Sequence, residues 1–459
     1  MDQPIRHFPD GFLWGTATSS HQVEGNNRNN QWWDWEQQPG RIYQGHKSDA
    51  ACNWWAAGGA EADFDRARAL HQNAHRLSLE WSRLEPVEGL FDSSAYERYR
   101  QMLQGLRDRG IEPMVTLHHF SDPLWLSEQG GWLGPRAVEL FRRYVEHTVR
   151  ELGDLVHTWC TINEPNVYAL VGYIVGYFPP GRRNVFQAYT VLRNLLLGHA
   201  AAYRTIHRLD GRARVGLVVN VRPFVPACAT SRFDRSAAAW FDLLFNGAML
   251  KALENGVLSP PLGYGRQVGQ LIDSFDFIGL NYYTRELIEF DPRRPAEFFA
   301  HRFFQPDGET SDLTKDNVPY GENYPRGLID ALQRVTCYGK PIIITECGLP
   351  DADDDQRPRF LITHIAAMHE ALQLGIPVKG FFHWTLVDNF EWSEGWKLRF
   401  GLFGLDPATQ ERTLRRSGET YAAICQANAL TPEIVRRFAP EVFDQVFTAD
   451  ASGVSQNRR

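Results

Sequence analysis

The sequence predicts an α/β protein built as a single (β/α)8 barrel, with long loops on the face where the strands end. Three observations carry that expectation. Eight short apolar runs, often β-branched, recur along the 459 residues. Longer stretches with apolar residues at three- and four-residue steps separate them, the pattern of covering helices. Polar side chains collect where the runs finish, and barrel sites form on that face. A doubly wound open sheet is the competitor. That fold carries a glycine-rich phosphate turn after its first strand, and none follows residues 12–19.

In chain order, the first run, FLWGTATS (12–19), is followed by Gln22 and Glu24. The second, AHRLSLEW (74–81), carries Arg76 and Glu80. The third, EPMVTLHHF (112–120), delivers His118 and His119. Neighbours in a strand face opposite sides, so only one of the two can enter the barrel mouth. The fourth, HTWCTINEP (157–165), ends in Asn163 and Glu164. The fifth, RVGLVVNV (214–221), adds no candidate. The sixth, FDFIGLNYY (275–283), ends in Asn281, Tyr282 and Tyr283, and the seventh, PIIITECG (341–348), in Glu346. The eighth, VKGFFHWTLVDN (378–389), gives Trp384, with Asp388, Glu391 and Trp392 at or just beyond its end.

Among the separating stretches, PRAVELFRRYVEHTVRELG reads as a helix closed by its glycine. Residues 285–326, rich in Pro, Asp and Phe, read as a long irregular loop, and a loop of that length in a compact domain is usually functional or mobile. A shorter loop, DADDDQRP (351–358), follows the seventh run. The barrel domain is expected over 1–447, and 448–459 as a disordered tail.

Composition narrows the function. A chain that is 43% hydrophobic can bury a large core, and 14 Trp exceed what core packing usually requires. The net charge of −7 argues against nucleic acid or an anionic membrane as an obligatory partner. No apolar run reaches the ~18 residues of a membrane helix, and MDQPIRHFPDGF has no signal-peptide pattern. The six cysteines are scattered without CxxC spacing, which suits reduced thiols in a cytoplasm. The scattered histidines form no ligand spacing, so neither a metal nor another cofactor is expected.

What remains is two carboxylates, Glu164 and Glu346, at one barrel mouth, among amide, imidazole, phenol and indole groups. Such groups hydrogen-bond sugar hydroxyls and cover pyranose faces, and paired carboxylates cleave glycosides. The motifs FLWGTATSSHQVEG, HRLSLEWSR, TLHHFSDPLWL, TINEP, FIGLNYYT, ITECG and HWTLVDNFEW stand in family order, each at a strand end. With them the chain resembles glycoside hydrolase family 1, the β-glucosidase family, over essentially its whole length. The resemblance implies a TIM barrel and a hydrolase of carbohydrate metabolism and cellulose degradation. It also implies retaining cleavage of terminal β-glucosyl residues, with β-galactosyl and β-fucosyl as further substrates.

The roles it implies are Glu164 as acid/base, Glu346 as nucleophile, and Arg76 and Tyr283 as the nucleophile's contacts. Asn163 would bind the sugar 2-hydroxyl. Gln22, His119, Glu391 and Trp392 would bind the non-reducing sugar, Trp384 would be its stacking platform, and Asn281 would also bind substrate. Partners would be small β-glycosides and oligosaccharides, the protein acting as a monomer or homo-oligomer. Arg76 and Tyr283 are expected to lower the pKa of Glu346, and the anionic neighbour to raise that of Glu164. A retaining enzyme holds the two carboxyls about 5–5.5 Å apart.

Three positions depart from the commonest family pattern: Cys347 for Asn, Phe120 for Trp, and Asn166 where some relatives have Trp. Cys347 reads as a small buried thiol and not as a nucleophile. Relatives acting on 6-phosphorylated sugars carry Ser, Lys and Tyr where this chain has Glu391, Leu398 and Phe400, so unphosphorylated sugars are favoured. Lys397 and Arg399 should point elsewhere by alternation. Other readings are transglycosylation through the same intermediate, and a dead, sugar-binding barrel, against which both glutamates argue. Thioglucosidases usually carry Gln at the acid/base position, so Glu164 argues against that activity too.

Overall fold

A computed structural model describes residues 5–447. The expected tail over 448–459 lies outside the described residues. Eight parallel strands close a barrel: β1 (Leu13–Ala17), β2 (Ala74–Ser78), β3 (Glu112–His118), β4 (Thr158–Asn163), β5 (Arg214–Asn220), β6 (Phe277–Tyr282), β7 (Ile342–Cys347) and β8 (Val378–Trp384). Each pairs with its chain neighbours, and β8 pairs with β1 through Trp384 beside Ala17. Tyr421 locks that seam, its single hydroxyl proton shared between Gly15 O (2.8 Å) and Phe381 O (3.0 Å). The strands are shorter than the apolar runs, because several polar ends lie past the last ladder bond.

The barrel separates two cores. Inside lie Ala17, Ala74, Met114, Cys160, Val218, Phe277, Ile343 and Phe382, capped toward the mouth by Tyr283, Trp384, Leu398 and Phe400. Outside, Ile342, Ile344 and Cys347 of β7 join the larger core under the helices. Alternation along one strand thus sends successive side chains into two different compartments. The interior is narrow: a Cβ on Gly216 would come 2.5 Å from the Phe277 ring. The predicted amphipathic helix forms at Ala137–Leu152, burying Leu140, Phe141, Tyr144, Val145 and Val149, and caps at Gly153.

The segment 285–326 corrects the sequence reading. Glu286–Phe290 pairs antiparallel with Ala300–Phe303 and parallel with Phe224–Pro226, making a small sheet. The rest folds back on the barrel: Arg285 pairs with Glu322 at 2.8 Å, and the Glu322 amide donates to Thr284 Oγ1 at 2.8 Å. Ile288 and Phe290 near its start supply β-propensity that Pro and Asp content obscures.

Candidate active site

The strand ends meet in register. Asn281 on β6 is flanked by Asn220 on β5 and Glu346 on β7 as direct neighbours. The β6–β7 ladder shifts between Leu280 and Asn281, and such bulges beside active sites re-aim side chains. Three non-glycine residues at the mouth adopt left-handed backbone: Glu164 (φ 44°), Phe120 (φ 67°) and Trp392 (φ 48°). Outliers of this kind cluster at functional sites.

Glu346 is 3% exposed. Its Oε1 accepts from Arg76 Nη1 at 2.5 Å and its Oε2 from the Tyr283 hydroxyl at 2.6 Å. Arg76 is itself buried. It also donates to Asn163 Oδ1 (2.7 Å) and Thr116 Oγ1 (3.0 Å), so its fork is held on three strands. Burial raises the Glu346 carboxyl, against the opposing pull of Arg76 and Tyr283. The expected net lowering is therefore corrected: desolvation outweighs the cation and the phenol.

Glu164 follows β4 as the residue before a short helix, Pro165–Leu170. Its Oε1 accepts from Asn220 Nδ2 (2.7 Å) and Asn281 Nδ2 (2.8 Å). Burial first, and then the charge of Glu346, lift its carboxyl to about 7. Here the expected direction holds. Two amides support Glu164, whereas a cation and a phenol support Glu346.

Asn163 orders the next contact. With its Oδ1 on Arg76, its Nδ2 donates to His119 Nε2 at 3.1 Å, which puts the neutral ring's proton on Nδ1. Burial keeps His119 neutral, and its Nδ1 has no protein partner. His118 faces away, bonded to Asp122 Oδ1 at 2.9 Å and stacked edge-on against Trp132. On the far wall Gln22 Nε2 donates to Glu391 Oε2 and Asn389 Oδ1, both at 3.1 Å. Burial raises Glu391 to about 8. The His119 ring lies 5.9 Å from Trp384 and 6.2 Å from Trp392. Contacts thus link Tyr283, Glu346, Arg76, Asn163, His119, Asn281 and Glu164, with Trp384 and Trp392 beside His119 and Gln22 bonded to Glu391.

Other polar strand ends serve the scaffold. Glu24 pairs with Arg83 and Tyr99, Glu80 accepts from Ser20, Ser82 and Ser121, and Asp388 pairs with Arg415. Lys397 reaches Thr314 O and Arg399 reaches Leu405 O, away from the interior where Leu398 and Phe400 sit. A Cβ on Gly348 would lie 2.3 Å from Trp384 O, so close packing of β7 on β8 requires glycine there.

Sequence reasoning passed over Asn220 and Tyr320. Asn220 is the one polar residue closing an otherwise apolar run, which is a usable signal. Tyr320 comes from the 285–326 segment, packs on Tyr283 and Phe400 at 6.0 and 5.4 Å, and had no such signal.

Comparison with known proteins agrees with this geometry. The description "Glycosyl hydrolase family 1" matches residues 5–430. Beta-glucosidase A of Thermotoga maritima is 32% identical, over 93% of this chain and 99% of that protein. A beta-galactosidase of Pyrococcus woesei is 30% identical, over 93% and 98%. The solved beta-glycosidase from Pyrococcus horikoshii superposes with a TM-score of 0.85 at 38% identity, covering 95% of this chain and 98% of that one.

Proposed function

The chain belongs to glycosyl hydrolase family 1, a family of retaining O-glycoside hydrolases, and we propose that it is a β-glucosidase that removes terminal, unphosphorylated β-D-glucosyl residues. β-Galactosides and β-fucosides are further substrates in this reading. One observation carries it: two buried carboxyls share a mouth, one held by a cation and a phenol, the other by amides alone. The first suits an anion that attacks, the second an acid that keeps its proton.

In the first step a Glu346 oxygen bonds to the anomeric carbon as the bond to the leaving oxygen breaks. Glu164 gives that oxygen its proton. In the second, Glu164, now a carboxylate, takes a proton from water, whose oxygen displaces Glu346 with net retention. An acceptor alcohol in place of water gives transglycosylation. His119 Nδ1, Gln22, Asn163, Asn281 and Glu391 supply hydrogen bonds to the sugar, and Trp384 and Trp392 its apolar walls. Neutral His119 donates without adding charge. Leu398 and Phe400, apolar and buried at the mouth, offer no cation to a phosphate dianion.

Tyr320 and Glu286 also line a cavity of about 540 Å³ with Arg302 and Phe303, which suits the leaving group. The names of relatives, a beta-glucosidase and a beta-galactosidase, support tolerance at the sugar 4-position. Among the described residues no helix is long and apolar enough to cross a membrane, and six unpaired cysteines favour a cytoplasmic location.

The test is Glu346→Gln on an aryl β-glucoside, with the product anomer followed by NMR. Turnover should vanish in the variant, and wild type should release the β-anomer first. Wild-type rate in the variant, or the α-anomer first, overturns the reading. Faster turnover of the 6-phosphoglucoside than of the plain glucoside overturns the substrate assignment.

A further inference from the structure

The turn after β7 holds Asp351, Asp353 and Asp355, one carboxylate oxygen from each lying within 4.8 Å of the others. Asp351 is 1% exposed, while Asp353 and Asp355 are at the surface. Asp351 Oδ2 is spoken for, accepting from the amides of Gln356 (2.9 Å) and Arg357 (2.8 Å) at the start of the helix Arg357–Gln373. Asp351 Oδ1 is buried and has no amide or cationic donor, although the Asp351 carboxyl contacts that of Asp353. In the same turn Gln356 Oε1 is likewise buried and without a partner.

The hydrogen bonds of the nearby cations go elsewhere, although the charge of Arg357 acts on Asp351. Arg357 bonds Asp354 Oδ1 and the carbonyls of Leu349, Asp351, Arg399 and Gly401. Arg359 bonds Glu309 and the Asp355 carbonyl. Among the described residues, no arginine or lysine forms an ion pair with Asp351, Asp353 or Asp355. A buried carboxylate oxygen without a donor is costly, and two more carboxylates beside it add repulsion.

We infer that this turn is a binding site for a calcium-like divalent cation. Alternate aspartates in a tight turn present hard oxygen donors on one side, with surface positions left for water. That set suits calcium, which takes six to eight oxygens in flexible geometry, and not zinc, which prefers nitrogen and sulfur. Containing no histidine or cysteine, the cluster has none of the spacing by which zinc sites are read. The ion's place in the fold is structural. The Ala352 amide donates to Asp312 Oδ2 (2.8 Å), the Asp312 amide to Pro350 O (3.2 Å), and the Asp351 amide to Arg399 O (2.9 Å). A cation on the three aspartates therefore braces the turn that Asp312 ties to the segment carrying Tyr320.

The experiment uses the full chain, stripped with EDTA, freed of chelator by dialysis and titrated with CaCl2 by calorimetry at neutral pH. One calcium per chain should bind with Kd of about 10⁻⁵–10⁻³ M. Saturation should raise Tm by about 1–3 °C. The double variant Asp353→Asn/Asp355→Asn, altered only at surface positions, should lose both the heat and the Tm rise while turning over an aryl β-glucoside at the wild-type rate. Absence of heat and of a Tm change at about 10 mM CaCl2, above the weak end of that range, overturns the site. So does an unchanged isotherm in the variant. So does a variant that in EDTA melts well below wild type, since the carboxylates would then be serving the protein's own hydrogen bonds.

Discussion

Arg76 Nη1 lies 2.5 Å from Glu346 Oε1, and Nη2 of the same guanidinium lies 2.7 Å from Asn163 Oδ1. One fixed fork on β2 thus orients a carboxylate on β7 and an amide on β4. Asn163 in turn sets the tautomer of His119. The mouth is one connected network, and its parts should not respond independently to mutation.

Arg76→Lys keeps the charge but loses the planar fork. It should lower kcat by roughly 10²-fold, the cost of misplacing one electrostatic partner. Steady-state kinetics on an aryl β-glucoside check this. A variant within twofold of wild type would show that charge alone matters.

The pH profile follows from the two glutamates. Glu164 must be protonated to act, so activity should fall as pH rises through about 7. Glu346 must be ionised, which sets the acid limb, and that limb should lie above the ordinary carboxylate range because burial raises it. A profile of kcat/KM rising beyond pH 8 would contradict the assignment of Glu164.

Asn220→Ala removes one of the two donors that lower the Glu164 pKa. The alkaline limb should move to higher pH, and kcat should fall about 10-fold. Tyr283→Phe acts on the other partner, so it is the acid limb that should move upward. If both variants moved the same limb, the division of labour would be wrong.

Burial raises Glu391 to about 8, so it binds a proton more tightly folded than unfolded. Its contribution is therefore largest below the unfolded value near 4.5 and is lost as pH rises toward 8. Glu391→Gln should raise stability at alkaline pH by about 1–2 kcal/mol, and raise KM, since a hydroxyl acceptor is weakened. Thermal melts across pH measure the first, initial rates the second.

Cys347 is wholly buried in the outer core, on the face of β7 opposite Glu346. Cys347→Asn should leave kcat/KM within about twofold and cost about 1–3 kcal/mol, since the amide lacks evident partners there. A large kinetic change with unaltered stability would place the thiol in the chemistry.

Much of this was legible beforehand, because a barrel sends strand-end residues to one face. Glu164 and Glu346 stood at such ends, Arg76 was the one cation within a buried run, and alternation required His118 and His119 to part. Other residues resisted reading because their partners are remote in sequence. Nothing local distinguishes Glu24, held by Arg83 and Tyr99, from Gln22, which bonds Glu391. Asp388 answers to Arg415, and Tyr320 arrives only because Arg285 and Glu322 fold its segment back. The pKa of Glu346 was misjudged for a similar reason: the cation beside it is visible in sequence, the depth of burial is not.

The seam between β8 and β1 has a consequence for biosynthesis. Trp384 must reach Ala17, and Tyr421 then bridges Gly15 and Phe381. A nascent chain still short of these residues has an open sheet edge and no enclosed pocket, although Glu164 and Glu346 have already been made. Catalytic competence therefore arrives late in translation, and ribosome-bound fragments that stop before the seam should be inert and dependent on protection from aggregation.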